Sequence, residues 1–132
     1  MASRSLTRRI FPYTIPVDPG TSPDAPETFQ MTVPDTKLTS LELVVPTGHV
    51  GLTGIAFFYA GQQLLPWPGT ANWIIAEGER FDWQLGIEVD GSVDVAAYNQ
   101  GLYLHQFYVR MTLDDLILPG QQSPGAPNVV TL

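Results

Sequence analysis

The chain predicts an all-β fold: an antiparallel β-sandwich, jelly-roll-like, of about eight strands with extended arms at both ends. Three observations carry this. Over residues 81–89 every odd position is apolar (Phe81, Trp83, Leu85, Ile87, Val89) while Asp82, Gln84 and Glu88 alternate with them, the period of a half-buried strand. Turn-forming Gly, Pro, Asn and Asp clusters punctuate the middle of the chain at intervals of about ten residues. No stretch shows a sustained helical period.

The elements follow in order. Residues 28–33 place Phe29, Met31 and Val33 in phase, and Pro34-Asp35-Thr36 turns the chain into 38–45, where Leu41, Leu43 and Val45 face one way. After the loop 46–51 comes the apolar strand 52–60, then Gly61-Gln62 and a short strand 63–65. The loop 66–72 precedes a short strand 73–76. Asp90-Gly91, after the alternating stretch, supplies a hairpin turn into 93–97. Asn99-Gln100-Gly101 then leads to a last strand with His105, Phe107, Val109, Met111 and Leu113 on one side.

Composition bounds the function. The 132 residues make one small domain with a single core. The net charge of −7 disfavours nucleic acid as a partner, and no apolar run approaches the length of a membrane span. Without cysteine there is neither a disulfide framework nor a thiolate metal site. The charge is split: Arg4, Arg8 and Arg9 form a +3 leader before a remainder of −10.

Three regions result. Residues 1–27 hold five of the 12 prolines and read as an extended N-terminal arm without a core of its own. Such an arm is ordered only when held, and a neighbouring subunit is the expected holder, with Ile10, Phe11, Tyr13 and Ile15 as anchors and the arginines docked on an acidic neighbour. Residues 28–118 form the sandwich. Residues 119–132 form a C-terminal arm in which Val129, Val130 and Leu132 could add a strand to a neighbour's sheet.

The residues offer little for catalysis. His49 and His105 are the only histidines, 56 positions apart without a His-x-His pair, and they read as a turn and a strand residue rather than metal ligands. No nucleophile elbow occurs. Glu77, Glu79, Asp82, Glu88, Asp90 and Asp94 read as a solvated acidic face, with a calcium site at Asp90 and Asp94 as the weaker alternative. No catalytic, cofactor or metal residue is therefore assigned. Trp67, between Pro66 and Pro68, and the outward Tyr108 and Arg110 suit a protein interface; Trp67 with Trp73 is alternatively a sugar-stacking platform.

The segment from Val45 to Ile55 (VPTGHVGLTGI), Gly61–Pro66 (GQQLLP), Trp73-Ile74, Tyr98-Asn99, His105 and Val109-Arg110 resemble small jelly-roll-type structural proteins of tailed-bacteriophage virions, over roughly residues 28–113. The resemblance implies a non-enzymatic, cofactor-free virion protein: a capsid decoration protein, or alternatively a tail or connector component. The expected partners are further copies in a symmetric trimer or larger oligomer and the major capsid or other virion proteins. A carbohydrate-binding or adhesin domain, with a glycan as partner, is the rival from another class.

Overall fold

The computed structural model describes residues 8–115. Six antiparallel strands form the fold: β1 (Arg8–Val17), β2 (Glu27–Val45), β3 (Thr53–Tyr59), β4 (Gln62–Leu65), β5 (Glu79–Asn99) and β6 (His105–Asp114), ordered β1-β6-β2-β5-β3-β4. The expected all-β, jelly-roll-like class stands; among the described residues the strands number six instead of about eight.

The difference has a physical cause at one corner. Residues 28–33 and 38–45 are halves of one strand, β2, and 81–89 and 93–97 are halves of one strand, β5. Val33 pairs with Gly91 and Thr36 with Val89, so Pro34 and Asp35 lie opposite the single residue Asp90. That is a β-bulge, one extra residue that bends the bulged strand. Asp90-Gly91 therefore makes no hairpin: Gly91 has φ +97°, yet β5 continues past it. The expected strand 73–76 contributes only a bridge between Ile55 and Ile74.

Bent at this corner, the β2–β5 pair contributes to two half-sheets. β6 pairs with residues 37–44 of β2 and β1 pairs with β6, whereas β3 pairs with residues 94–99 of β5 and β4 with β3. One continuous core lies between them, with Met31, Leu41, Leu43, Ile55, Phe57, Phe107, Met111 and Leu113 fully buried. Asn99, ending one half-sheet, bonds the carbonyl of Val17, ending the other. The molecule thus has a corner pole, at residues 34–36 and 90–91, and an open pole where the strand ends converge.

The N-terminal arm is corrected from residue 8 onward. β1 pairs with β6 of its own chain across ten positions; Ile15 and Val17 are buried in the core, and Phe11 and Tyr13 pack against it. The Tyr13 hydroxyl donates to the carbonyl of Thr32 at 2.8 Å, tying the two half-sheets. These anchors serve this molecule, while Ile10 is exposed. Pro12 and Pro16, two of the five prolines that suggested an arm, are tolerated because β1 is an edge strand, where an absent N–H removes no ladder bond. The arginines also find partners at home. Arg8 donates two bonds to Asp114, at 2.8 and 2.9 Å, and Arg9 donates to Asp115 at 2.9 Å. The assignments at Arg4, Val129, Val130 and Leu132, and the arm 119–132, lie outside the described residues.

Asp114 closes the corner pole. It also accepts from Thr39 Oγ1 at 2.8 Å, and its carbonyl accepts from Thr36 Oγ1 at 2.6 Å. The Arg8 bonds, aided by Thr39, hold its carboxyl down to about 2 from an ordinary value of 3.8. A depressed carboxylate stabilises the fold above its unfolded value and loses that contribution as pH falls through the folded one. The Asp114 contribution is therefore expected to fade between about pH 4 and pH 2. Asp114→Asn should cost about 1–2 kcal/mol at neutral pH and flatten the acid limb of a urea-midpoint profile in that window.

Candidate functional site

The open pole is built from loops that polar side chains fasten in place. Residues 46–52 turn through Gly48, Val50 and Gly51, each with positive φ. The Glu77 carboxylate accepts from the backbone N–H groups of Gly48, at 2.9 Å, and Val50, at 2.7 Å. Those two donors hold its carboxyl below the usual range. Glu77 is exposed, as expected of a solvated acid, and also clamps the loop. Among the other acids, Asp94 accepts from Ser92 at 2.8 Å, while Glu79, Asp82, Glu88 and Asp90 are exposed.

His49 fixes the same loop from inside. It is buried, with Nε2 at 3.1 Å from the carbonyl of Gln106 and Nδ1 at 2.7 Å from Thr53 Oγ1. A carbonyl only accepts, so Nε2 carries the proton and Nδ1 accepts from the Thr53 hydroxyl. Both ring nitrogens are thus engaged. The His105 ring lies 4.6 Å from that of His49, and Phe107 meets it edge-on at 4.9 Å. The fold brings together two histidines that sequence distance separates, as tilted ring neighbours at an interplanar angle of 39°. Among the described residues no group of three His, Asp or Glu side chains is placed to hold a metal ion.

Burial, then the neighbouring His105, lowers the pKa of His49, against smaller opposing contributions from the Gln106 carbonyl and Glu77. The unfolded chain then binds the proton more readily, so stability falls as pH drops below the ordinary value of 6.5. The slope should approach, at most, about 1.4 kcal/mol per pH unit. Urea midpoints between pH 8 and pH 5 should show this decline, and His49→Gln, though less stable at pH 8, should show a flatter profile.

Asn99 is the hub of the other loop. Its Nδ2 donates to the carbonyls of Val17 at 3.0 Å and Tyr103 at 2.7 Å, and its Oδ1 accepts from Gly101 N–H at 2.9 Å. Its backbone carbonyl accepts from Gly20 and Thr21, and its N–H donates to Thr21 Oγ1. Gln100 N–H donates to the carbonyl of Leu52 at 2.9 Å, joining the two loops.

On this rigid base the loops present large apolar side chains to solvent. Leu102 is 86% exposed and Tyr103 76%, with Val50, Leu52 and Leu104 beside them in the same two loops. Five such residues grouped at one pole form an apolar contact surface, a feature that marks interaction sites. Sequence reasoning missed it. Leu102 and Leu104 fall between the Asn99-Gln100-Gly101 turn and the last strand, and nothing local signals that they face outward.

The residues singled out from the sequence lie elsewhere. Trp67 is 49% exposed on the loop 66–72, which Gln63 Nε2 pins by donating to the carbonyls of Pro66 and Ala71. Trp73 packs edge-on against Tyr98 at 5.0 Å, and Trp83 stacks on Phe81 at 5.2 Å; both rings have packing partners. Tyr108 and Arg110 are exposed on the outer face of β6, beside a shallow hollow of about 230 Å³ lined also by Pro12, Thr14 and Glu42. There Glu42 accepts from Arg80 at 2.7 Å and lies 3.9 Å from Arg110.

No family model matches the chain, and no curated protein does. Among solved structures it is similar to a chain of Bacillus endospore appendages, described as disulfide-linked pili, with a TM-score of 0.48 and 17% identity over 88% of this chain and 96% of that one. It is also similar to the decameric BFDV capsid protein, with a TM-score of 0.44 and 13% identity over 83% of this chain and 96% of that one.

Proposed function

We propose that this chain is a non-enzymatic structural protein of a bacteriophage virion, of the capsid-decoration kind, which acts by binding further copies of itself and the major capsid protein. The observation that carries this reading is the apolar open pole. Asn99, His49 and Glu77 hold two loops rigidly so that Val50, Leu52, Leu102, Tyr103 and Leu104 stand in water, and a preorganised apolar face lowers the ordering cost of association. The resemblance of the turn and core residues to tailed-phage virion proteins supplies the particle. Arg4, Val129, Val130 and Leu132, in the segments beyond the body, are the proposed tethers to neighbours, and Trp67, Tyr108 and Arg110 the lateral contacts. Linking each copy by several weak contacts raises their effective concentration and reinforces the particle.

Immunogold labelling of intact particles with an antibody against this chain tests it. Regularly spaced label on the capsid is expected, label confined to the tail would move the protein to the tail or connector alternative, and unlabelled particles would overturn the reading. The half-exposed Trp67 supports the rival glycan-binding reading. Loss of glycan-array signal in Trp67→Ala would favour that rival, and no signal from either protein would remove it.

A further inference from the structure

The two poles of the molecule differ in a way that selects a partner for the apolar one. The described chain starts at Arg8 and ends at Asp115, and Arg8 is bonded to Asp114 beside the Val33–Thr36 bulge. Both ends therefore leave the body at the corner pole, opposite Leu102 and Tyr103. The 17 residues of segment 116–132 follow from there. At about 3.3 Å per residue they can span up to about 56 Å, against about 33 Å for a ten-residue strand such as β1.

Charge and composition narrow the choice. Segment 116–132 contains no Asp, Glu, Lys or Arg and carries Leu116, Ile117, Leu118, Val129, Val130 and Leu132. The open-pole residues Val50, Leu52, Leu102, Tyr103 and Leu104 are likewise uncharged. An uncharged segment brings no like charge onto the apolar pole itself. A copy stacked in the same orientation presents its corner pole to this open pole with no reversal of chain direction. Seating within one molecule would need the segment to turn back along the whole body.

We infer that the open pole, centred on Leu102 and Tyr103, is the docking site for segment 116–132 of a second copy of this chain. The contact is head-to-tail and repeats from copy to copy. It rests on the structural reading above and names the acceptor for the C-terminal tether.

The test uses the full chain with photoreactive p-benzoylphenylalanine in place of Tyr103. Light and ¹⁵N-labelled protein are mixed, irradiated and mapped by mass spectrometry. Cross-links from position 103 of one chain to a peptide within 116–132 of the other are expected. Cross-links to that segment only within one chain, cross-links to another copy's loops or strand edges, or their absence would each overturn the inference. Because Leu102 is exposed, Leu102→Asp should leave the fold intact and weaken self-association in sedimentation by about ten- to a hundred-fold; Val130→Asp should do the same from the other side. Unchanged association in both variants, or a wild-type chain monomeric at every concentration, would overturn it too. Labelled particles without the cross-link would sink this inference alone, whereas the cross-link with unlabelled particles would sink the virion reading and leave this one standing.

Discussion

Asn99→Leu is expected to be the most damaging single change, lowering stability by about 3–5 kcal/mol and the melting temperature by about 10 °C or more. Asn99 is wholly buried, and leucine of similar size would leave the carbonyls of Val17 and Tyr103 and the N–H of Gly101 without partners. An unpaired buried polar group costs about 1–3 kcal/mol; the bonds to Val17 and Gly101 are buried and that to Tyr103 is partly so. Asn99→Asp provides the control. It keeps an acceptor for Gly101 but sets a carboxylate against two carbonyl oxygens, so it should also be severely destabilised. Chemical denaturation followed by far-UV circular dichroism measures both. An Asn99→Asp variant as stable as the parent would show that the two donated bonds contribute little.

Gly54→Ala should have the second largest effect, about 2–3 kcal/mol. A Cβ at this position would lie 2.3 Å from Tyr98 Cε2 and 2.7 Å from Cζ, so the ring must leave its place. Tyr98 is nearly buried and meets Trp73 edge-on, so its displacement should change Trp73 fluorescence. A double-mutant cycle separates this clash from any backbone effect. In the Tyr98→Ala background the same Gly54→Ala substitution should cost far less, and an equal cost in both backgrounds would refute the close approach as the cause.

The alternation of Phe29, Met31 and Val33, of Leu41, Leu43 and Val45, and of Phe107 through Leu113 was legible because burial follows the pleat whatever the connection. The connection itself was not. Asp90-Gly91 and Pro34-Asp35 each carry turn chemistry, and on their own each reads as a reversal. Facing one another across the β2–β5 ladder, they make a shared bend, and only their register, which lies between distant segments, tells the two outcomes apart. β1 was hidden for a similar reason. Phe11, Tyr13, Ile15 and Val17 do alternate, but Pro12 and Pro16 fall between them, and whether proline is permitted depends on the strand being at an edge. The open pole was the least legible part. Its hub, Asn99, sits in an ordinary turn tripeptide, and its partners lie as far off as Val17 and Gly20.

The pairing of β1 with β6 sets the order in which the molecule can be completed. Arg8 meets Asp114 and Val17 meets His105, so β1 waits for a partner that, at Arg8, lies 106 positions further along the chain. The local β3–β4 contacts, and the longer-range β2–β5 ones, can form while Ile15 and Val17 still lack their places. Closure over such sequence distances carries a high loop entropy and slows folding. During that interval the uncovered flank of β6 is a template open to any passing copy, and a nascent chain is most vulnerable to mispairing there.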